Sequence, residues 1–276
     1  AQTLVPLHAR QIPAQCDIAV IGAGVAGMSA AKLLADAGRQ VTLVERSPAI
    51  GGKTALICDV YPAIECASCM ISPLMDDILH HPRIHLLTSS DVVDVVGYLG
   101  HYTLTVRQQP RYVDAEGCYG CGNCHAVCPV TVPNEFDEGL SQRAAVYLPY
   151  PGALPNASLV DDRHCLHFID GSCQACVAAC PFGNIDLRQT AREHEVHVGG
   201  IVLACGFDEE KQADADGSLF GYAQCISALT FERLINTAGP TGGEIRIGEQ
   251  RLQRVAILCG IDQWGQRTRQ AANPIQ

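Results

Sequence analysis

The chain has 276 residues, enough for one large domain or two smaller ones, and 47% of them are hydrophobic, so a substantial core is possible. The formal charge is −10 and basic residues form no run, which excludes the basic patch that a nucleic-acid partner needs. Fifteen cysteines far exceed ordinary usage, but residues 1–15 hold no continuous apolar signal region and no apolar run could span a bilayer, so metal-binding thiolates in a reducing cytoplasm are expected rather than a secreted disulfide framework.

In chain order, residues 17–21 read as a short apolar strand. A glycine-rich turn follows, then helical spacing over 28–37, Gly38 as a stop, and a second strand over 41–44. This order encloses Gly22-x-Gly24-x-x-Gly27, with Glu45 closing the second strand 18 residues after Gly27. Alone the glycines are a weak signal; with strand, helix and acid in sequence they form a dinucleotide fingerprint. Gly22 allows the tight turn, Gly24 lets a pyrophosphate approach the backbone, and Gly27 lets helix and strand pack closely. Glu45 would accept hydrogen bonds from the adenosine ribose, and the helix N-terminus offers unpaired N–H groups to the phosphates. FAD and NAD share the fingerprint. Two details favour FAD: Gly51-Gly52-Lys53 matches the second glycine signature of two-dinucleotide flavoproteins, and Ile201 to Gly206 is similar to their later strand ending in Ala-Thr-Gly, with Cys205 in place of threonine. The competing reading is a Rossmann unit without a ligand. Strands are also expected over 84–88 and 102–107.

Residues 110–190 carry two cysteine runs. Cys118-x2-Cys121-x2-Cys124-x3-Cys128-Pro129 is the bacterial ferredoxin spacing, in which three cysteines wrap one cubane and the fourth ligates the other. Gly120 and Gly122 let the backbone turn tightly around the sulfurs. Cys165-x7-Cys173-x2-Cys176-x3-Cys180-Pro181 repeats the run with five extra residues between its first two cysteines. Crossing the fourth ligands puts Cys118, Cys121, Cys124 and Cys180 on one [4Fe-4S] cluster and Cys165, Cys173, Cys176 and Cys128 on the other. Zinc and disulfides are the competing readings. Residues 133–161, rich in Pro, Gly and Asn, look like a wrapping loop.

Beyond residue 190, strands are expected over 196–198, 200–204 (buried) and 254–258, with a helix over 231–237. This β-rich character resumes that of the first zone. The fold class is therefore α/β: a Rossmann-type FAD-binding part over 1–109, an inserted bacterial 2[4Fe-4S] ferredoxin module over 110–190, and a return of the flavin domain over 191–276.

Together these motifs resemble the A-type flavin and iron–sulfur component of heterodisulfide reductase and its relatives. The likeness extends to residues 62–75 with Cys66-Ala-Ser-Cys69, and to residues 132–138, 144–155 and 231–243. It implies a thioredoxin-reductase-like FAD domain with an inserted ferredoxin, an oxidoreductase subunit that works within a cytoplasmic, multi-subunit complex and relays electrons between flavin, clusters and partner subunits. Family members continue past the position of residue 276, so the returning flavin part is expected to be incomplete, and Cys259 matches the first cysteine of a further cluster motif.

Two other functions compete: a flavin-free iron–sulfur wire, and a thiol–disulfide reductase using Cys66 and Cys69 as redox thiols. That pair could also ligate a third cluster with Cys58, or be buried thiols. Cys16, Cys205 and Cys225 read as core residues, and the ten histidines as solvated or capping. Tyr119 and His125 could tune the exposure of the first cluster or simply pack.

Overall fold

Alternation along the first strands decides which layers form. The computed structural model describes residues 14–60, 62, 64–207, 225–248 and 250–257. In β1 (Ile18–Ile21), Ile18 and Val20 face one side and Ala19 and Ile21 the other. After α1 (Val25–Asp36), β2 (Val41–Val44) repeats the pattern, with Val41 and Leu43 on the first side and Val44 on the second. The chain continues through a 3₁₀ turn (Gly52–Leu56), β3 (Asp59–Val60), β4 (Glu65–Cys66), α2 (Ala67–His80) and β5 (Ile84–Leu87). A long hairpin follows, β6 (Ser90–Tyr98) and β7 (His101–Gln108), whose return partner β12 (Arg192–Val198) leads into β13 (Gly200–Leu203). The four strands β13-β1-β2-β5 form a parallel sheet, and β12-β7-β6 an antiparallel one.

Three layers result. Met28, Ala31 and Ala35 of α1 and Ile71, Met75 and Ile78 of α2 cover the first face of the parallel sheet. Leu104, Val106 and Val198 of the antiparallel sheet cover the second. Met28, Leu43 and Ile78 are fully buried; truncating any one to alanine is expected to cost about 2–5 kcal/mol. The helix α1 stops where expected: Gly38 adopts φ +88°, and the N–H groups of Ala37 and Arg39 donate back to Leu33 and Leu34.

The cysteine segment leaves from β7 and returns into β12, where Gln108 and Arg192 are paired residues. It has its own small core of Tyr112, Val113, Ala145, Val146, Val160, Ile185 and Leu187 packed around Cys124, Cys165 and Cys176. Its regular structure is sparse: α3 (Asn123–Ala126), β8 (Thr131–Pro133) with β9 (Gln142–Ala144), β10 (Val146–Tyr147) with β11 (Leu159–Val160), α4 (Leu166–Asp170) and α5 (Ala175–Ala179). Residues 133–161 wrap back onto the Rossmann core, with Phe136 stacked on Tyr150 at 5.0 Å and both packed against it. Beyond β13, α6 (Ala228–Ile235) is capped by Ser227, whose hydroxyl accepts from the Thr230 N–H. Its Arg233 forms a buried ion pair with Asp137 at 2.8 Å. β14 (Arg246–Ile247) and β15 (Gln250–Arg251) form a small ribbon.

Several expectations change. β13 is only half-buried and Leu203 is 76% exposed, because β13 is the edge of its sheet, bonded to β1 alone. Residues 254–257 form no strand and Val255 and Ile257 are exposed, while the adjoining β14 and β15 pair with each other. Residue 258 and Cys259 lie outside the described residues. The unforeseen helix α2 contains Pro73 and starts at Cys66 without a side-chain cap, so it lacks the usual start signal and is held by packing. Among the described residues no helix is long and apolar enough to cross a membrane.

Candidate functional site

The glycine turn has the geometry that a phosphate cradle requires. Gly22 adopts φ +101°, its N–H donates to the Val44 carbonyl at 2.8 Å, and a Cβ there would lie 2.3 Å from the Ala204 oxygen. A Cβ on Gly27 would lie 1.8 Å from the Gly22 oxygen, so α1 can sit this close to β1 only with glycine. At Gly24 a Cβ would meet nothing within 4 Å. Its missing side chain therefore opens space at the N-terminus of α1, where Gly24 is the cap and makes no side-chain hydrogen bond. The second glycine pair closes over this turn. The Gly51 N–H donates to the Ala23 carbonyl at 2.9 Å, and a Cβ on Gly52 would lie 2.9 Å from the Gly24 Cα.

Glu45 is buried beside the turn. One carboxylate oxygen accepts from the Ala23 N–H at 2.6 Å; the other accepts from the Ser47 N–H at 2.7 Å and hydroxyl at 2.5 Å. Each oxygen has two lone pairs, so the carboxylate shapes the loop and retains acceptor capacity for a ribose. The Lys53 ammonium sits over the Phe207 ring, 4.3 Å from its centroid, next to Gly206 at φ +70°. The cradle thus fits a dinucleotide at both glycine signatures.

The cysteines gather in two groups. Cys118, Cys121, Cys124 and Cys180 line one small cavity together with Val113, Tyr119, Ser158 and Phe182. Cys128 instead acts electrostatically on Cys165, as does Cys173, and Cys176 is influenced by Cys165, then by Cys124 of the first group and by Cys173. Gly120 at φ +64° and Gly122 at φ +80° make the tight turns of the first run, and Gly122 caps α3. Burial pushes the Cys124 and Cys165 thiols up and that of Cys176 up to about 11. Such thiols stay protonated unless a metal compensates the thiolate charge. The Nδ1 of His167, beside Cys165, is buried without a hydrogen-bond partner. Among the described residues no three His, Cys, Asp or Glu side chains converge on a single ion, and all fourteen described cysteines are free thiols.

A family profile described as an NAD(P)-binding Rossmann-like domain matches residues 20–59. The iron–sulfur A component of CoB–CoM heterodisulfide reductase from Methanocaldococcus jannaschii is 42% identical over 229 residues, 82% of this chain and 34% of that protein. The corresponding A component of the H(2):CoB-CoM heterodisulfide,ferredoxin reductase from Methanothermobacter marburgensis is 35% identical over 277 residues, 99% of this chain and 41% of that protein. The chain belongs to the heterodisulfide reductase A-like family. It spans 34% to 41% of the length of these relatives. Among solved structures, the thioredoxin reductase of Lactococcus lactis aligns with 32% of this chain and 29% of its own, at 21% identity and TM-score 0.28.

In this heterodisulfide reductase A-like chain the Cys66-x-x-Cys69 pair is exposed at the start of α2. Hydrogen bonds from the Cys69 backbone and thiol hold the Cys66 thiol below its ordinary range and push Cys69 up. Cys58 is near, because β3 pairs Asp59 with Cys66 and the Ala67 N–H donates to the Cys58 carbonyl at 3.1 Å. Neither Cys16 nor Cys205 is a core residue; both are exposed, and Cys225 is half-exposed, since all three flank strand or helix ends rather than pointing into the layers. His125 is not solvated either: its Nε2 lies 2.9 Å from the Ser158 hydroxyl and burial pushes its pKa down. Tyr119 packs against Phe182 at 5.3 Å over the first cavity. Sequence reading missed Ser158, Asn184, Tyr150 and Phe182. Asn184 donates to the Gly117 carbonyl and Tyr150 to that of Ile50. Only Phe182 had a usable signal, its place directly after Cys180-Pro181.

Proposed function

We propose that this chain is the flavin- and cluster-bearing part of an electron-transfer oxidoreductase subunit, with FAD in the glycine cradle and two [4Fe-4S] clusters in the segment over 110–190. The observation that carries this is the crossed arrangement of thiols. Cys180, distant in sequence, shares a cavity with Cys118, Cys121 and Cys124, while Cys128, which does not line that cavity, is close enough to Cys165 to act on its thiol. Paired ferredoxin runs predict that exchange of fourth ligands. Zinc would draw four thiolates to about 2.3 Å from one point; a cubane holds them apart at its corners, which suits thiols that ring a cavity without converging.

FAD, when bound, supplies two-electron chemistry and the clusters one-electron transfer. The chain's own residues do the holding. Gly22, Gly24 and Gly27 present backbone and helix N–H groups to the phosphates, Glu45 faces the ribose, and Gly51, Gly52, Lys53 and Gly206 border the cradle. Tyr119 and Phe182 form part of the wall of the first cavity. The relatives' names describe subunits of enzymes that reduce a heterodisulfide, one of them an iron–sulfur subunit, which supports an electron-transferring oxidoreductase subunit. Their naming as subunits supports partner subunits of a redox complex, and cluster-binding thiolates imply a reducing, cytoplasmic setting. A third cluster using Cys58, Cys66 and Cys69 would need a ligand from elsewhere.

The test is anaerobic purification followed by iron, acid-labile sulfide and flavin analysis. About eight irons and one FAD per chain are expected. Eight irons without flavin would move the flavin to a partner, about twelve would bring in the Cys66 pair, and zinc in place of iron would overturn the proposal.

A further inference from the structure

Between the two sites lies a buried cation that neither site explains. Arg111 is 8% exposed. Its Nε donates to the Ser158 carbonyl at 3.0 Å, Nη2 to that of Ala157 at 2.6 Å, and Nη1 to that of Pro48 at 2.7 Å. All three acceptors are neutral. Among the described residues it pairs with no carboxylate, and the titratable side chains that act on it are those of Cys118 and Tyr147. Burial lowers its pKa only to about 10, so the charge persists at neutral pH. A buried guanidinium without a counterion is costly, because carbonyl hydrogen bonds recover only part of the lost hydration.

Its position relative to the first cysteine set is specific. Ser158, whose carbonyl it holds, lines the Cys118–Cys180 cavity, as does Val113, two residues along from Arg111 itself. The Ser158 hydroxyl lies 3.7 Å from the Cys124 sulfur. The third contact, to Pro48, grips the loop between Glu45 and Gly51 that shapes the nucleotide cradle. One side chain therefore ties the cradle loop to the wall of the cluster cavity.

We infer that Arg111 is the internal counterion of the first cysteine set, a positioning residue whose charge favours the reduced state there and whose fork fixes the cradle loop against it, on the reading that Cys118, Cys121, Cys124 and Cys180 hold a [4Fe-4S] cluster. Four thiolates around a cubane carry net negative charge, and one electron from a dithionite-class reductant adds another without forming or breaking a bond. A fixed positive charge in a dry wall stabilises that added charge, so losing it lowers the potential.

The test is an anaerobic redox titration of the cluster-loaded chain, followed by electron paramagnetic resonance, with R111M, R111Q and R111K. The neutral variants are expected to reduce the first cluster with at least a tenfold smaller equilibrium constant, a fall of 59 mV for one electron, while the second cluster keeps its potential. R111K, which retains charge, is expected to stay within threefold of the parent chain. R111Q is neutral but keeps two N–H donors for at most two of the three carbonyls, and carries the comparison if R111M does not assemble. An unchanged first-cluster potential in a loaded neutral variant overturns the inference while leaving the ligand assignment intact. So does R111K falling as far as R111Q, which would make the role one of shape alone. Absence of the first cluster from the parent chain would instead sink the ligand assignment, and the inference with it.

Discussion

The three glycines of the fingerprint make separable demands, and alanine at two of them distinguishes binding from folding. In G27A the new methyl would start 1.8 Å from the Gly22 carbonyl oxygen, whereas carbon and oxygen settle at about 3.3 Å. Helix α1 and strand β1 must part by about 1.5 Å, and the obstructing atoms are backbone, so no rotamer change relieves them. The cost belongs at the upper end of overpacking, about 3 kcal/mol. At a urea slope of about 3 kcal/mol per molar, the unfolding midpoint falls by about 1 M. In G24A the methyl meets nothing within 4 Å and φ is −74°, ordinary for any residue. The chain gains a little from a stiffer unfolded state and loses a little at the helix cap, each effect below about 1 kcal/mol and of opposite sign. Its urea midpoint is expected to move by less than about 0.3 M. That methyl occupies the space offered to the phosphates, so FAD binding followed by flavin fluorescence is expected to weaken at least tenfold, about 1.4 kcal/mol. Parent-like FAD affinity in G24A, or destabilisation equal to that of G27A, would refute the assignment of the second glycine to the cofactor.

Three further outcomes follow from particular contacts. C180A is expected to cut iron from about eight to about four per chain and erase only the first cluster's resonance signal; loss confined to the second cluster would show that the ligands are not crossed. E45Q turns one acceptor of a doubly engaged carboxylate into a donor facing the Ala23 or Ser47 N–H, and a cost of about 1–3 kcal/mol is expected in urea unfolding. Tyr150 donates to the Ile50 carbonyl, and burial, with the Glu45 charge, pushes its pKa up to about 12. Because the folded value lies above the unfolded value of about 10, its contribution is complete below pH 10 and is lost as pH rises toward 12. Unfolding midpoints measured across that window should fall less steeply for Y150F than for the parent chain; identical slopes would place the loss elsewhere.

Much of the molecule was written in local patterns. The period of two in β1 and β2 selected both faces of the sheet, Gly38 ended α1, and the glycine spacing named the positions where a Cβ would collide with backbone or open a cradle. Each of these depends on neighbours within a few residues, so a short window holds the information. Cysteine spacing likewise proposed which thiols belong together. Other features arose only when distant segments met. The burial of Glu45 between Ala23 and Ser47, the seating of Ser158 against Cys124, and the reach of Arg111 from the cysteine segment to Pro48 join residues up to 63 positions apart. Arg111, Ser158 and Pro48 carry no spacing signal, because a carbonyl acceptor can belong to any residue type. Burial behaved the same way. Cys16 and Cys205 have the composition of core residues and lie exposed, while Arg111 has that of a surface residue and is enclosed. Residue type states a preference for water or its absence; only the packing of one layer on another decides which residues water reaches.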